Sequence, residues 1–208
     1  MVNNNRAVLA GGWSKNGKKF AFGAGSHKTL IGSFNEKTNW WDCKKITSFK
    51  SSVVSVSLHP SGRVVAAGST DFSFKLFSCW IESADANDNY KGVFDDVKDF
   101  GEILLEGGGL GWVEAIAWSP NGQQVAYACL IFSYFIWLNN IFLVKAHDLT
   151  LGLVKIKKNE AGETDYDSNT SDWDKLPFMT LLFKSENEII AGGYDYNPII
   201  FKEKAGKL

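Results

Sequence analysis

Trp118-Ser-Pro-Asn-Gly-Gln-Gln-Val-Ala-Tyr-Ala-Cys129 is an aromatic residue, a polar turn, and a run of small and β-branched residues. That is how a strand, a tight turn and a second, buried strand are spelled. The phrase is written three more times, as Trp13-Ser-Lys-Asn-Gly-Lys-Lys-Phe-Ala-Phe-Gly-Ala24, Leu58-His-Pro-Ser-Gly-Arg-Val-Val-Ala-Ala-Gly-Ser69 and Leu182-Phe-Lys-Ser-Glu-Asn-Glu-Ile-Ile-Ala-Gly-Gly193. The chain therefore repeats one hairpin unit.

The intervals between these marks are 45 residues from Trp13 to Leu58, 60 from Leu58 to Trp118 and 64 from Trp118 to Leu182. The shortest falls in the window of about 40–45 residues expected for a four-stranded propeller blade, and the longer ones predict blades with inserted loops. Apolar residues between the marks alternate rather than recur every three or four. Val54, Val56 and Leu58 are read onto one face, with Val53, Ser55 and Ser57 on the other, which is a strand period and not a helical one. A third strand is also repeated, since Ser69-Thr-Asp71-Phe72 through Phe77 returns 124 residues later as Gly193-Tyr-Asp195-Tyr196 through Phe201.

Asp71 and Asp195, and Asp148 in the third unit, are read as structural turn residues, because a carboxylate there accepts backbone N–H groups that the turn leaves unpaired. The predicted fold class is all-β, a partial β-propeller of about four blades or part-blades. Its units run over about 6–50, 51–95, 96–175 and 176–208. Residues 1–12 read as weakly patterned, and the polar stretches 82–106 and 157–175 as exposed loops, with a strand restarting at Phe100.

At 208 residues, with 45% hydrophobic and 14% aromatic residues, the chain has enough apolar surface for a substantial core. A formal net charge of -1 removes the main reason to expect nucleic acid or an anionic membrane as partner, because both are held by an excess of Lys and Arg. The three cysteines, Cys43, Cys79 and Cys129, form no close pair, and residues 1–25 contain no signal-peptide core. A reducing, cytoplasmic location is the expectation.

One segment breaks the pattern. Leu130 to Val144 is almost wholly bulky and apolar, without alternation. It is shorter than the roughly 20 residues of a membrane span and carries Asn139-Asn140 near its middle, so no span is expected. Excising residues 129–145 joins Ala128 to Ala146 and restores the repeat with Asp148 in register. The segment is thus read as an insertion within a blade, either a real one or a translated intron, and transcript sequencing across it separates the two.

No nucleophile with a base and no closely spaced metal-ligand set is spelled out, so neither an enzyme nor a cofactor or metal site is expected. Asp165-Tyr-Asp167-Ser-Asn169 opens like a calcium loop but has Thr170 where Gly is required and Leu176 where Glu is required. Asn169-Thr-Ser171 fits the glycosylation sequon but has no secretory signal beside it. Gly107-Gly-Gly-Leu-Gly111 lacks the Lys and Ser or Thr of a phosphate loop.

Asn39-Trp-Trp-Asp-Cys-Lys44, His59-Pro60, Ala66-Ala-Gly-Ser-Thr-Asp-Phe72, Leu76-Phe-Ser78, Phe100-Gly-Glu-Ile103 and Gly111-Trp-Val113, in that order, resemble a family of WD-repeat proteins. It is the subunit 1 family of the actin-nucleating actin-related protein two/three complex. The name-giving Trp-Asp is absent, with Phe77 and Phe201 at the Trp position, and the usual Gly-His is missing. The resemblance covers nearly the whole chain outside 130–144. It implies a seven-bladed propeller acting as a non-catalytic scaffold, with the actin-related proteins, other subunits and actin filaments as partners. About half of such a propeller is expected here, which predicts a marginal or aggregation-prone chain. The competing expectation is a generic WD-repeat adaptor that presents its loops to another complex. Candidate contact residues are Phe72 and Tyr196, beside the turn Asp, and the pair Trp40 and Trp41, because aromatics are favoured interface anchors. Core packing is the competing reading of the tryptophans.

Overall fold

The computed structural model describes residues 6–86, 90–108, 111–130, 135–138, 141–144, 149–173, 177–194 and 196–203. The first sheet runs in order through β1 (Val8–Trp13), β2 (Lys19–Ala24), β3 (Lys28–Asn35) and β4 (Trp40–Thr47). The second contains β5 (Val53–Leu58), β6 (Val64–Ser69) and β7 (Ser73–Ser78), then, after the short α1 (Glu82–Asp85), β8 (Ile103–Gly108). The third is formed by β9 (Trp112–Trp118) and β10 (Gln124–Leu130), with β13 (Leu149–Lys158) and β14 (Thr164–Trp173) outside them. Between β10 and β13, β11 (Phe135–Leu138) and β12 (Ile141–Val144) pair with each other as a separate two-stranded sheet. The fourth sheet is β15 (Phe178–Ser185), β16 (Glu188–Gly193) and β17 (Ile199–Lys202). All pairings are antiparallel meanders, so the expected all-β partial propeller is what the chain forms.

The core lies between sheets. Ala21 and Ile31 of the first sheet meet Val53, Val65, Ala67 and Phe77 of the second. The other face of the second, Val64, Ala66, Phe74 and Leu76, meets Trp118, Val125, Tyr127 and Val154 of the third. Ala126, Ala128, Leu151 and Leu153 then cover Phe178, Phe183, Ile189 and Ala191 of the fourth. Strand alternation produces this sandwiching directly, since neighbours along β6, Val65 and Ala66, point to opposite faces.

The first-hairpin turns are built alike. Ser14 and Ser119 each accept a backbone N–H through the side-chain oxygen, from Lys19 at 2.9 Å and Gln124 at 3.0 Å. Gly17, Gly62 and Gly122 each donate back to the turn's first residue and have φ of 70°, 72° and 76°, the left-handed region that glycine enters without cost. These turns also join the sheets. His59 Nδ1 accepts the Ser61 N–H at 3.0 Å, so the ring proton sits on Nε2 and is donated to the Gly122 carbonyl at 3.1 Å. A Cβ on Gly122 would lie 2.0 Å from His59 Nε2, so this close approach also demands glycine. Lys19 is almost wholly buried and spends all three donors across the first interface, on the Gly62 carbonyl at 3.0 Å, the Cys79 carbonyl at 2.8 Å and the Asp85 carboxylate.

Several sequence expectations are corrected here. The strand at 103–108, placed in the third unit by a boundary near residue 95, pairs with β7 and completes the second sheet, because a meander closes on its own third strand. Residues 8–13, within the weakly patterned 1–12, are β1. The stretch 82–106 is not merely an exposed loop: Asp85, Phe94 and Val97 are buried, and Phe94 and Val97 join the second core. The polar run from Lys157 is largely β14, paired over ten residues with β13. Polar composition hid it because the outermost strand of a sheet packs little against other sheets. A bulge between Val53 and Ser55 turns Val53 to the same side as Val56 and Leu58. In the fourth sheet Phe183, not Leu182, is the counterpart of Trp118, because it pairs with Ile189 as Trp118 pairs with Val125. The turn there is one residue shorter and has no glycine. No helix among the described residues is long and apolar enough to cross a membrane.

Two outcomes follow. Asp85→Ala leaves the Lys19 ammonium buried without its counter-charge and is expected to cost about 3–5 kcal/mol in denaturant unfolding. Burial lowers the His59 pKa to about 4, against a smaller raising effect of the Gly122 carbonyl. The stabilising contribution of neutral His59 is therefore complete above pH 6.5 and lost as pH falls from 6.5 towards 4, by about 3 kcal/mol. In thermal unfolding across that range, His59→Gln should flatten this part of the pH dependence.

Candidate protein-interaction surfaces

A four-stranded meander places its first and third turns at one end of the sheet and its second turn at the other. Trp40 and Trp41 open β4 and lie at the end that carries the Gly17 turn, whereas Phe72 and Tyr196 lie in β6–β7 and β16–β17 turns at the opposite end. The four candidate aromatics thus fall on two separate rims.

On that rim the turn chemistry is explicit at Asp71. Its carboxylate accepts the N–H of Lys50 at 2.6 Å, the N–H of Ser73 at 3.1 Å and the Ser73 hydroxyl. Burial acts to raise its pKa, but the hydrogen bonds from Ser73, Lys50 and Ser69 outweigh it, and the carboxyl stays below its ordinary value. Asp148 and Asp195 lie outside the described residues. Phe72, which follows Asp71, lies in the left-handed region with φ of 69°, and Tyr196 and His27 match it at 61° and 65°. Two non-glycine aromatics held at positive φ project outward, Phe72 at 46% and Tyr196 at 97% exposure.

At the first rim, Trp40 is 70% exposed, while Trp41 is half-buried in an aromatic cluster that sequence reasoning missed. Trp41 lies 5.5 Å from Trp13, 5.2 Å from Phe20 and 5.4 Å from Phe34, and Phe20 lies 4.7 Å from Phe22. The rings fit because glycine lies beneath them: a Cβ on Gly32 would meet the Phe20 ring at 2.1 Å. The available signal was Phe20 and Phe22 alternating opposite Gly32 and Gly11. The exposed Cys43 shares this face, whereas Cys79 and Cys129 are buried, which pushes both thiols up to about 12.

A third surface is an open groove of about 820 Å³ beside α1, lined among others by Arg63, Tyr90, Lys91, Asp95 and Lys98. The Arg63 guanidinium stands 5.6 Å from the Tyr90 ring centre and donates to the Asp95 carbonyl at 3.1 Å. Its charges are mixed and largely satisfied internally, as by the Lys158 pair with Asp95. Among the described residues no cluster of three His, Cys, Asp or Glu side chains is placed to hold a metal.

Comparison with known proteins places this geometry. A family model for the WD domain, G-beta repeat, matches residues 41–78, which begin on β4 of the first sheet and end on β7 of the second. The β-propeller domain of Cps50 (Swd1) from Myceliophteria thermophila superposes with a TM-score of 0.58 over 96% of this chain and 54% of that one, at 16% identity. The fold is therefore a partial β-propeller, with a WD repeat matched over residues 41–78. In sequence the chain is similar to proteins named actin-related protein 2/3 complex subunit 1: it is 32% identical over 95% of its length to subunit 1A of Arabidopsis thaliana and 29% to subunit 1A-B of Xenopus laevis. Subunit 1 of Saccharomyces cerevisiae is 28% identical over 96% of the chain. The chain spans about half the length of these curated relatives, 46–48% of each.

Asp71→Ala removes three accepted hydrogen bonds and is expected to lower stability by about 1–2 kcal/mol. Phe72→Gly relieves the left-handed conformation and should be neutral or stabilising by up to about 1 kcal/mol. Parallel denaturant titrations of the two variants check both signs.

Proposed function

We propose that this protein is a non-catalytic scaffold subunit of the actin-related protein 2/3 complex, supporting actin filament nucleation and branching through protein–protein contacts at the actin cytoskeleton. The observation that carries the reading is similarity over 95% of the chain to proteins named as subunit 1 of that complex. A rigid stack of sheets suits such a role, since cross-linked turns hold side chains on a rim without an ordering cost on binding. The partners proposed are the two actin-related proteins, other subunits of the complex and actin filaments. The proposed contacts are Phe72 and Tyr196 on one rim and Trp40, with the edge of Trp41, on the other. No cofactor enters this function.

The test is affinity purification of the native protein from its own cells. Recovery of both actin-related proteins in stoichiometric amount is expected, and Tyr196→Ser should reduce it by about tenfold without lowering thermal stability. Recovery of a different assembly, without actin-related proteins, identifies the chain as an adaptor of another complex and overturns the proposal.

A further inference from the structure

The second and third sheets each end on an outer strand, β8 and β14, and the connection from β7 to β8 passes between them. A cavity of about 320 Å³ lies in this seam, lined only by residues of those two strands and of the connection. It is therefore complete within two neighbouring sheets. Its volume stands at the small end of the range for ligand pockets, which suits one inserted side chain rather than a large ligand.

The floor of the cavity is apolar and its rim is acidic. Phe94 and Val97 belong to the core between the two sheets, Leu104 packs against that core, and Ile103 at the mouth is 45% exposed. Thr164 and Tyr166 line it from β14, and Asp165 between them falls on the other face of the strand. The Thr164 hydroxyl donates to the Val93 carbonyl at 3.4 Å, which fixes that wall to the connection. Asp96 and Glu102 supply the charge. Lys158 bonds Asp95 and lies 3.6 Å from Asp96, and among the described residues no ion pair reaches Glu102. Lys98, the next cation along the connection, lines the groove beside α1 instead. Three carboxylates thus face a single ammonium. The Tyr166 phenol responds to this field, since burial and then the charges of Asp96 and Glu102 push it up to about 12.

We propose that this cavity receives an arginine side chain from a basic segment of a partner protein. The two halves of the lining select that occupant. The aliphatic stem of an arginine packs on Phe94, Val97 and Ile103, while its guanidinium remains at the acidic rim. There it meets Asp96 and Glu102 beside the Tyr166 ring, on which a planar guanidinium stacks and an ammonium does not. A hard metal ion suits the lining less, because it takes six or more oxygen ligands and gains nothing from an apolar floor. The proposal goes beyond the function proposed above and does not depend on it, since it names the chemistry of a contact and not the assembly that supplies it.

The probe is a short fluorescent peptide of alternating arginine and serine, titrated against the full chain by anisotropy. Saturable binding is expected, and Asp96→Asn and Glu102→Gln should each weaken it by about tenfold. Asp165→Asn removes the same charge from the other face of β14 and should change the affinity by less than about twofold, which separates the cavity from general surface acidity. The matching lysine peptide should bind about threefold more weakly. All three replaced carboxylates are exposed, so the variants should unfold at the temperature of the parent chain. Binding that does not saturate overturns the proposal, as does equal weakening by Asp165→Asn. So does a lysine or glutamate peptide that binds as tightly, or complete displacement of the arginine peptide by calcium at constant ionic strength, which would make the cavity a metal site.

Discussion

A β-sheet with two apolar faces must find a neighbour for each, and that constraint governs the whole molecule. It is met by setting large side chains against small ones. Phe74 of the second sheet stacks on Tyr127 of the third at 4.7 Å between ring centres and 15° between planes. Both rings lie over glycine in their own sheets, Phe74 over Gly107 and Tyr127 over Gly152. Interiors pack near crystal density, so a methyl group at either glycine would have to displace a ring.

Polar residues between the sheets fix their angle and register, which apolar contact alone leaves adjustable. The His59–Gly122 and Lys19–Gly62 bonds and the Trp118 Nε1–H bond to the Ser57 carbonyl at 3.1 Å each tie one sheet to the next, near the same rim. Their donors and acceptors are satisfied, as buried polar groups must be. The opposite rim is thereby free to carry strained, outward-pointing aromatics such as Phe72 and Tyr196, whose conformational cost is met by the stability of the frame. A frame held rigid in this way is what the proposed binding role asks of the fold.

The repeat was legible because turn chemistry is local: Asn-Gly and Ser-Gly pairs fix left-handed turns, and Asp71 fixes the next one, whatever surrounds them. The outer strand β14 was not legible, because it is polar and its strand character comes from pairing with β13 rather than from its own alternation. The strand restarting after Phe100 was legible as β8, but its place in the second sheet comes from pairing with β7. The buried part of 82–106 was missed for a related reason, since Phe94 and Val97 are isolated apolar residues in a polar stretch. Of the candidate contacts, Phe72 and Tyr196 could be placed on one rim from repeat position alone. The partition of the adjacent tryptophans, with Trp40 exposed and Trp41 packed on Phe20, needed the sheet.

By itself the sequence determined the hairpin unit, its recurrence and the turns that close it, because these depend on residues within a few positions of one another. Only the tertiary structure decided which face of each strand is covered, where one sheet ends and the next begins, and that Phe183 rather than Leu182 enters the core. Those outcomes depend on inter-strand register, and a shift of one residue, as in the shorter turn of the fourth sheet, exchanges the two faces of a strand.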